Sequence, residues 1–188
     1  MKAVFLNGLI LATAACLPGC AALAPRGGPA AGLEVARFHL NQPIARGRIA
    51  VEPAEPADRN SPEFLGYQTA VARQLAGHGW TVVPSTAQSE QIALIDVEQG
   101  SRTALAQRST VGGGARIGAG SGGAHLVTTL LEVSIRRRSD ATVFWEGRAD
   151  METRVGSSGA NRAVAVERLA EALFGDFPGE SGRTIRLP

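Results

Sequence analysis

The chain of 188 residues lacks lysine almost completely. Of its 19 basic residues only Lys2 is a lysine, and the other 18 are arginines. This absence excludes mechanisms that need an internal amine, such as a Schiff base, a phosphate-loop lysine or a Ser–Lys pair. Because arginine stays protonated in proteins, the basic side chains cannot act as general bases either.

Cysteine and histidine are also scarce. The two cysteines are Cys16 and Cys20, and the three histidines, His39, His78 and His125, lie far apart in the sequence. No HExxH motif and no G-x-S-x-G nucleophile elbow occurs. We therefore expect no catalytic residue, no cofactor and no metal site, because a tetrahedral metal site needs a cluster of such ligands.

The chain has little excess charge of either sign, since its 19 basic and 17 acidic residues give a net charge of +2. Together with 44% hydrophobic residues, this excludes a chain kept disordered by its charge. The single basic cluster is Arg136-Arg137-Arg138. We expect a soluble turn there, with contact to anionic lipid headgroups or an acidic partner as the alternative, and no nucleic-acid partner.

No hydrophobic run is long enough to cross a bilayer. After Met1-Lys2, the uncharged stretch 3–15 has 13 residues, whereas a spanning helix needs about 20. Its length is typical of the hydrophobic region of a signal peptide. Leu17-Pro18-Gly19-Cys20 follows and resembles a bacterial lipobox, although proline stands where a small residue is usual. We therefore predict a lipoprotein signal peptide over 1–19 and lipidation at Cys20.

Two other processing routes remain open. Cys16 follows Thr13-Ala14-Ala15 and is a second candidate for acylation, with threonine in place of the aliphatic residue. Alternatively, an ordinary signal peptidase could cut after Ala21 and release a soluble protein. If cleavage precedes Cys20, the one remaining cysteine carries lipid and no disulfide can form.

Residues 20–32 are predicted to be a flexible tether, because they are small, rich in proline and glycine, and without periodicity. The residue after Cys20 is Ala21 and not aspartate. By resemblance to known lipoproteins, this favours the outer membrane, facing the periplasm, over retention in the inner membrane. Several acyl chains, palmitate among them, would hold the protein far more firmly than one chain could.

The rest of the chain, 33–188, is predicted to be a single α+β domain. Two amphipathic helices pack on one face of a mostly antiparallel sheet that contains a long β-hairpin. Glycine makes up half of residues 111–124, so a loop is expected there. The predicted strands cover 33–40, 48–51, 80–83, 91–97, 125–135 and 142–153, and the helices begin at Ser61-Pro62 and Asn161 and end before Gly77 and Gly175. In the last of these strands, the alternating residues from Val143 to Met151 are expected to point inward. Phe177-Pro178-Gly179 is expected to break the regular structure before 183–187.

Two kinds of ring residue have expected places in this domain. Trp80 and Trp145 lie in apolar strands and are expected in the core. His78 lies between two glycines at a helix end, where a partly exposed capping role is expected.

Two patterns in this domain are compatible with chemistry. The G-x-G-x-x-G at 118–123 precedes a β-branched strand and not a helix, so we do not expect nucleotide binding. Asp96 with Glu98, and Asp150 with Glu152, share strand faces and could serve acid–base chemistry or Ca²⁺. A solvated strand face, or pairing with arginine across strands, is the expected role of these carboxylates.

Several of these segments together resemble the bacterial lipoprotein family defined by domain of unknown function 4136 (DUF4136). The resemblance rests on the lipobox, Leu75-Ala76-Gly77-His78-Gly79-Trp80, the strand 92–97, the hairpin strands 130–135 and 143–147, and the closing segment 172–178. It implies an envelope lipoprotein and transfers no catalytic residue, because the family supplies none.

The expected function is therefore that of an outer-membrane-anchored periplasmic lipoprotein, acting as a non-catalytic structural or interaction module. Its partners would be the membrane, through Cys20, and an envelope protein of unknown identity. The alternative is a periplasmic carrier of a small ligand or lipid. In that case a pocket would lie between helices and sheet, gated by the loop 111–124.

Overall fold

The computed structural model describes residues 32–101, 105 and 126–188. The predicted signal peptide 1–19, nearly all of the tether 20–32 and the glycine-rich loop 111–124 lie outside the described residues. The elements are β1 (Leu33–His39), β2 (Arg48–Pro53), α1 (Pro62–Gly77), β3 (Thr81–Val82), β4 (Gln91–Gly100), β5 (Leu126–Arg137), β6 (Val143–Arg154), α2 (Arg162–Phe174) and β7 (Thr184–Leu187).

The strands form one seven-stranded sheet in the order β3-β2-β4-β5-β6-β1-β7. β2 runs parallel to β3 and β4, and every other pair is antiparallel. The long hairpin is formed by β5 and β6, at the centre of the sheet. The predicted α+β class and the mostly antiparallel sheet are confirmed.

Both helices begin at the caps that the sequence predicts. The Ser61 hydroxyl accepts the Phe64 N–H at 3.1 Å, and Pro62 occupies the first turn of α1. The Asn161 side chain accepts two backbone N–H groups at the start of α2. These bonds satisfy amides that the first helical turn leaves without partners. Gly79, just beyond α1, has φ +93°, which glycine adopts without strain.

Both helices pack on the same face of the sheet, which we call the helix face; the other side is the open face. Every second strand residue points to the helix face, as the two-residue period of a strand requires. The core contains buried residues from seven elements: Val35, Ile49, Val51, Ala93, Ile95, Leu131, Val133, Ile135, Trp145, Ala149, Val71, Leu75, Val166, Leu169 and Leu173.

Several expectations about element ends, and one about the direction of a side chain, were wrong; β4, for example, continues through Gly100. Arg136 and Arg137, expected in the turn, belong to β5, and β2 continues through Pro53. Val143 was expected to point inward but is 39% exposed. A bulge explains this, since the register shifts between Ile135 and Arg136 and leaves Phe144 as an extra residue on β6.

The C-terminal segment also differs from expectation. Residues 184–187 were predicted only to follow an interruption of regular structure at Phe177-Pro178-Gly179. They form β7 instead and pair with β1. The four-residue strand closes one edge of the sheet, and the two-residue β3 forms the other. Short edge strands of this kind offer little backbone for pairing with another chain.

Candidate functional site

An aromatic cluster fills the interface where α2 ends over the sheet. Trp145 on β6 stacks on Phe174 with ring centroids 5.3 Å apart, and both side chains are fully buried. Phe177 lies 5.1 Å from Trp145 and 5.2 Å from Trp80. The Trp145 indole N–H donates to the Pro178 carbonyl at 3.1 Å. Both tryptophans are therefore core residues, as the sequence predicts.

A buried arginine, Arg37, holds the C-terminal end of α2. It lies on the helix face of β1 and is 3% exposed. Its guanidinium donates to the carbonyls of Leu173 and Ala172, each at 2.8 Å, and forms an ion pair with Asp176. Desolvation lowers the pKa of Arg37, and the Asp176 carboxylate opposes that shift. Arg37 thus satisfies carbonyls that the last helical turn leaves open.

The sequence analysis did not single out Arg37. The signal was present, because Leu33, Val35, Arg37 and His39 share one strand parity and the first two are core residues. An arginine in the inward series of a strand must find partners in the interior. His39 continues the series, with Nε2 2.9 Å from the Gly179 carbonyl oxygen.

The predicted carboxylates lie together on the open face. Asp96 on β4 is paired in register with Glu132 on β5, which is paired in turn with Arg148 on β6. The Glu132–Arg148 ion pair is 2.9 Å long. Asp150 follows on β6 and is buried, with 8% exposure. Cross-strand pairing with arginine, expected for the other carboxylates, is seen at Glu132, which the sequence analysis did not single out.

Crowding of like charges changes the pKa of Glu132. Burial raises this pKa most, and the carboxylates of Asp96, Glu98 and Glu146 raise it further, while Arg148 lowers it. A raised carboxyl pKa is one mark of a catalytic acid, but ion-pair networks in a sheet produce it as well. In the described ranges no group of three or more metal-ligating side chains is found.

The two described histidines, His39 and His78, each contact the segment 177–179. His78 ends α1, and its ring packs 5.4 Å from that of Phe177, so it has the capping position that the sequence predicts. His39 lies at the end of β1. His125, like the lipidation candidate Cys20 and its alternative Cys16, lies outside the described residues.

A second feature is an exposed apolar surface at the end of the sheet that carries the β5–β6 turn. We call Phe38, Leu40, Val143 and Phe144 the apolar end. Phe38 is 51% exposed and Leu40 66% exposed. Two cavities of about 320 and 330 Å³ meet here, with Leu40 and Phe144 lining both. Arg137 lines the first cavity and Glu146 the second, so charged groups border the apolar side chains.

A smaller cavity of about 150 Å³ lies near the beginnings of both helices. Glu55, Asp58, Glu63 and Tyr67 contribute to its lining. The Tyr67 hydroxyl is buried and has no hydrogen-bond partner among the described residues. Since that oxygen has almost no accessible surface, the cavity does not present it to a ligand.

Within the described ranges, neither helix is long and apolar enough to span a membrane. This finding concerns only residues 32–101, 105 and 126–188.

No protein-family model matches the chain. The resemblance to DUF4136 therefore stays a prediction. An uncharacterized protein of Zymomonas mobilis is 26% identical over 82% of this chain and 80% of its own length.

Solved structures align over most of the chain at low identity. A PelC dodecamer from Paraburkholderia phytofirmans is 14% identical, with a TM-score of 0.45, over 74% of this chain and 93% of that one. A lipoprotein from Neisseria meningitidis is 10% identical, with a TM-score of 0.38, over 70% of this chain and 96% of that one.

Proposed function

We propose that the chain is a bacterial envelope lipoprotein, anchored by acylated Cys20 in the outer membrane and facing the periplasm. Its domain would act as a non-catalytic structural or interaction module. The observation that carries the proposal is the uncharged run 3–15, followed after Cys16 by Leu17-Pro18-Gly19-Cys20. A tether, 20–32, then separates the anchor from a folded domain, as a surface-held module requires.

The packing of the domain supports a module over a carrier. A carrier with its pocket between helices and sheet needs open space there, and the described part of that interface is filled by buried side chains such as Trp145, Phe174 and Leu169. The larger cavities lie instead at the apolar end, on the outside of the domain. A lipid or small ligand found by native mass spectrometry of the purified protein would restore the carrier function.

The anchor is tested by the intact mass of protein extracted from membranes of the producing bacterium. We expect residues 20–188 plus acyl chains. The Cys20→Ala variant should lose that mass and accumulate unprocessed, whereas Cys16→Ala, the matched control, should keep it. Acylation lost in Cys16→Ala and kept in Cys20→Ala would move the anchor to Cys16. A wild-type mass that begins at Ala22 would overturn the lipoprotein assignment.

The membrane is tested separately, by density-gradient separation of inner and outer membranes. Wild-type protein should be found with the outer membrane. An Ala21→Asp variant should shift to the inner membrane with its acyl chains intact, because aspartate after the lipidated cysteine resembles the retention signal of known lipoproteins. Wild-type protein in the inner membrane would contradict the outer-membrane assignment and leave the anchor unaffected.

A further inference from the structure

We propose that the apolar end and the neighbouring hairpin arginines dock the domain onto an anionic phospholipid surface. The proposal rests on the proposed function, because the acylated Cys20 is what would bring the domain to a membrane. It adds an orientation, in which the β5–β6 turn faces the lipid headgroups and the N-terminal ends of both helices point away from them.

The first support is exposure of large apolar side chains in one place. Phe38, Leu40 and Val143 are 51%, 66% and 39% exposed. β1 runs beside β6 in this region, with Phe38 paired in register with Glu146. Phe144 is partly buried against the core and, with Leu40, borders both cavities of this end, so it connects the exposed residues. Apolar side chains grouped at a loop end can enter the boundary between headgroups and acyl chains.

The second support is charge. Arg136, Arg137 and Arg138 lie at this end, at and just beyond the end of β5. Arg138 Nε donates to the neutral Ser89 carbonyl at 2.7 Å, and among the described residues no carboxylate forms an ion pair with it. Guanidinium groups bind phosphate oxygens through paired hydrogen bonds, and each basic group near an anionic membrane strengthens binding.

The acidic groups in the same region are mostly compensated. Asp140 forms an ion pair with Arg137, and Glu90 forms one with Arg48. Glu146, at the edge of the second cavity, offsets the charge of one of the two remaining arginines, Arg136 and Arg138, so one positive charge is left at this end. A surface that joins exposed apolar groups to surplus arginine charge is complementary to anionic lipid.

The third support is the length of chain between anchor and domain. Residues 21–32 comprise 12 residues and reach about 40 Å when extended. β1 begins at Leu33 and its seven residues span about 20 Å. The tether is therefore long enough for the far end of β1, where Phe38 and Leu40 lie, to reach the membrane that holds Cys20. Tethering raises the local concentration of lipid at this surface, so even weak contacts would be occupied.

The test uses the chain from residue 21 onward, which contains the whole described core and lacks the anchor. The fraction of protein that sediments with vesicles of phosphatidylethanolamine and phosphatidylglycerol is compared with the fraction that sediments with vesicles of phosphatidylcholine alone. We expect binding to the anionic vesicles, weakened by added salt and at least about fivefold weaker with phosphatidylcholine.

Two pairs of substitutions locate the binding surface. Phe38→Ser with Leu40→Ser, and Arg136→Gln with Arg138→Gln, should each weaken binding to anionic vesicles at least about fivefold. The matched control, Leu65→Ser with Val164→Ser, removes helix residues that are 54% and 42% exposed, and binding should not change. Thermal unfolding establishes that each variant is folded. The single Leu40→Gln change, at the most exposed of these positions, serves if the double variant does not fold.

Three results would overturn the proposal: equal binding to both kinds of vesicle, no binding to either, or no effect of the paired substitutions. Sedimentation equilibrium distinguishes a rival occupant, since a dimer lost on Phe38→Ser with Leu40→Ser would assign the surface to a second copy. The test lacks Cys20, so its failure leaves the anchor intact, whereas failure of the anchor appears only in the mass of the membrane-extracted protein.

Discussion

The two faces of the sheet are built from the same strands, and most of the charged strand residues lie on the open face. On β5, Val133 points to the helix face and is 1% exposed, while its neighbour Glu132 points to the open face and pairs with Arg148. Because side chains alternate along a strand, a slip of one residue would exchange these two sets. The burial of one face therefore specifies the register of the hairpin.

Charged side chains occur on both faces of the sheet, but they differ in burial and in the number of their partners. On the helix face, Arg37 is almost completely buried, and two helix carbonyls and the Asp176 carboxylate surround its guanidinium. On the open face, Glu132 and Arg148 remain partly exposed and are joined by an ion pair. A buried charge needs a full set of partners, whereas an exposed one needs few. The predictions below alter one face at a time.

The largest effect is expected from Arg37→Met. The methionine fills much of the same space but leaves the carbonyls of Leu173 and Ala172 without donors, so we expect a loss of about 3–5 kcal/mol of unfolding free energy. Urea denaturation measures it. In Asp176→Asn the altered carboxylate is 61% exposed, so the loss should stay below about 1 kcal/mol. Equal losses in the two variants would show that Arg37 stabilises the fold through its ion pair with Asp176 and not through its bonds to the helix carbonyls.

The next effect is expected at Gly147 on β6. A Cβ there would lie 2.7 Å from Leu173 Cδ1 and closer still to the Trp145 ring, so Gly147→Ala should cost about 1–3 kcal/mol by overpacking. The matched control is Gly66→Ala on α1, where nothing lies within 4 Å of the added Cβ. That change should stabilise the protein by about 0.5–1 kcal/mol. A stable Gly147→Ala variant would mean that the Trp145 indole can move aside.

A gain of about 1 kcal/mol is expected from Tyr67→Phe. The Tyr67 hydroxyl is buried on the helix face without a partner among the described residues, and removing it ends a desolvation cost with little change of volume. Thermal unfolding measures the gain, and Phe64→Leu on the same helix shows how the site responds to lost ring volume. A loss of stability in Tyr67→Phe would reveal a water or ligand bound to the hydroxyl.

The sequence predicted which segments form helices and strands better than it predicted where those elements end. Ser61-Pro62, Asn161 and the alternation of β5 carry local signals, namely capping groups and a two-residue period, and these predictions are confirmed. The exposed position of Val143 was missed because a bulge is set by pairing between strands, which one strand's pattern does not contain. β7 was missed for the same reason, since it exists through its pairing with β1.

The candidate surfaces were harder to predict than the fold. The sequence pointed to Arg136-Arg137-Arg138 as a cluster, but the exposed Phe38 and Leu40 join it only through the sheet order, which brings β1 beside β6. The parity of Arg37 on β1 predicts that its side chain points inward. It does not predict the partners, which lie in α2 and at Asp176, more than 130 positions away. Contacts of that separation are decided by tertiary packing, which periodicity does not report.

The smallest effect, and the one confined to the open face, is a pH dependence at Glu132. Burial and nearby carboxylates raise the pKa of Glu132 in the folded chain above the model-peptide value of 4.5. Its ionised form is therefore less favourable in the folded state than in the unfolded state. The resulting stability is complete below the unfolded pKa and is lost as pH rises through the folded pKa.

Glu132→Gln removes that dependence. The Tm of Glu132→Gln relative to wild type should therefore increase as pH rises from about 4 to 7. Glu171→Gln, on the exposed side of α2, removes one negative charge away from the sheet and corrects for the change in net charge. A Tm difference that stays constant over this range, or falls, would show that the Arg148 ion pair outweighs desolvation. The open face would then stabilise the ionised carboxylate of Glu132, although the raised pKa indicates the opposite. The two faces would in that case differ more in how they accept a charged side chain than this pKa implies.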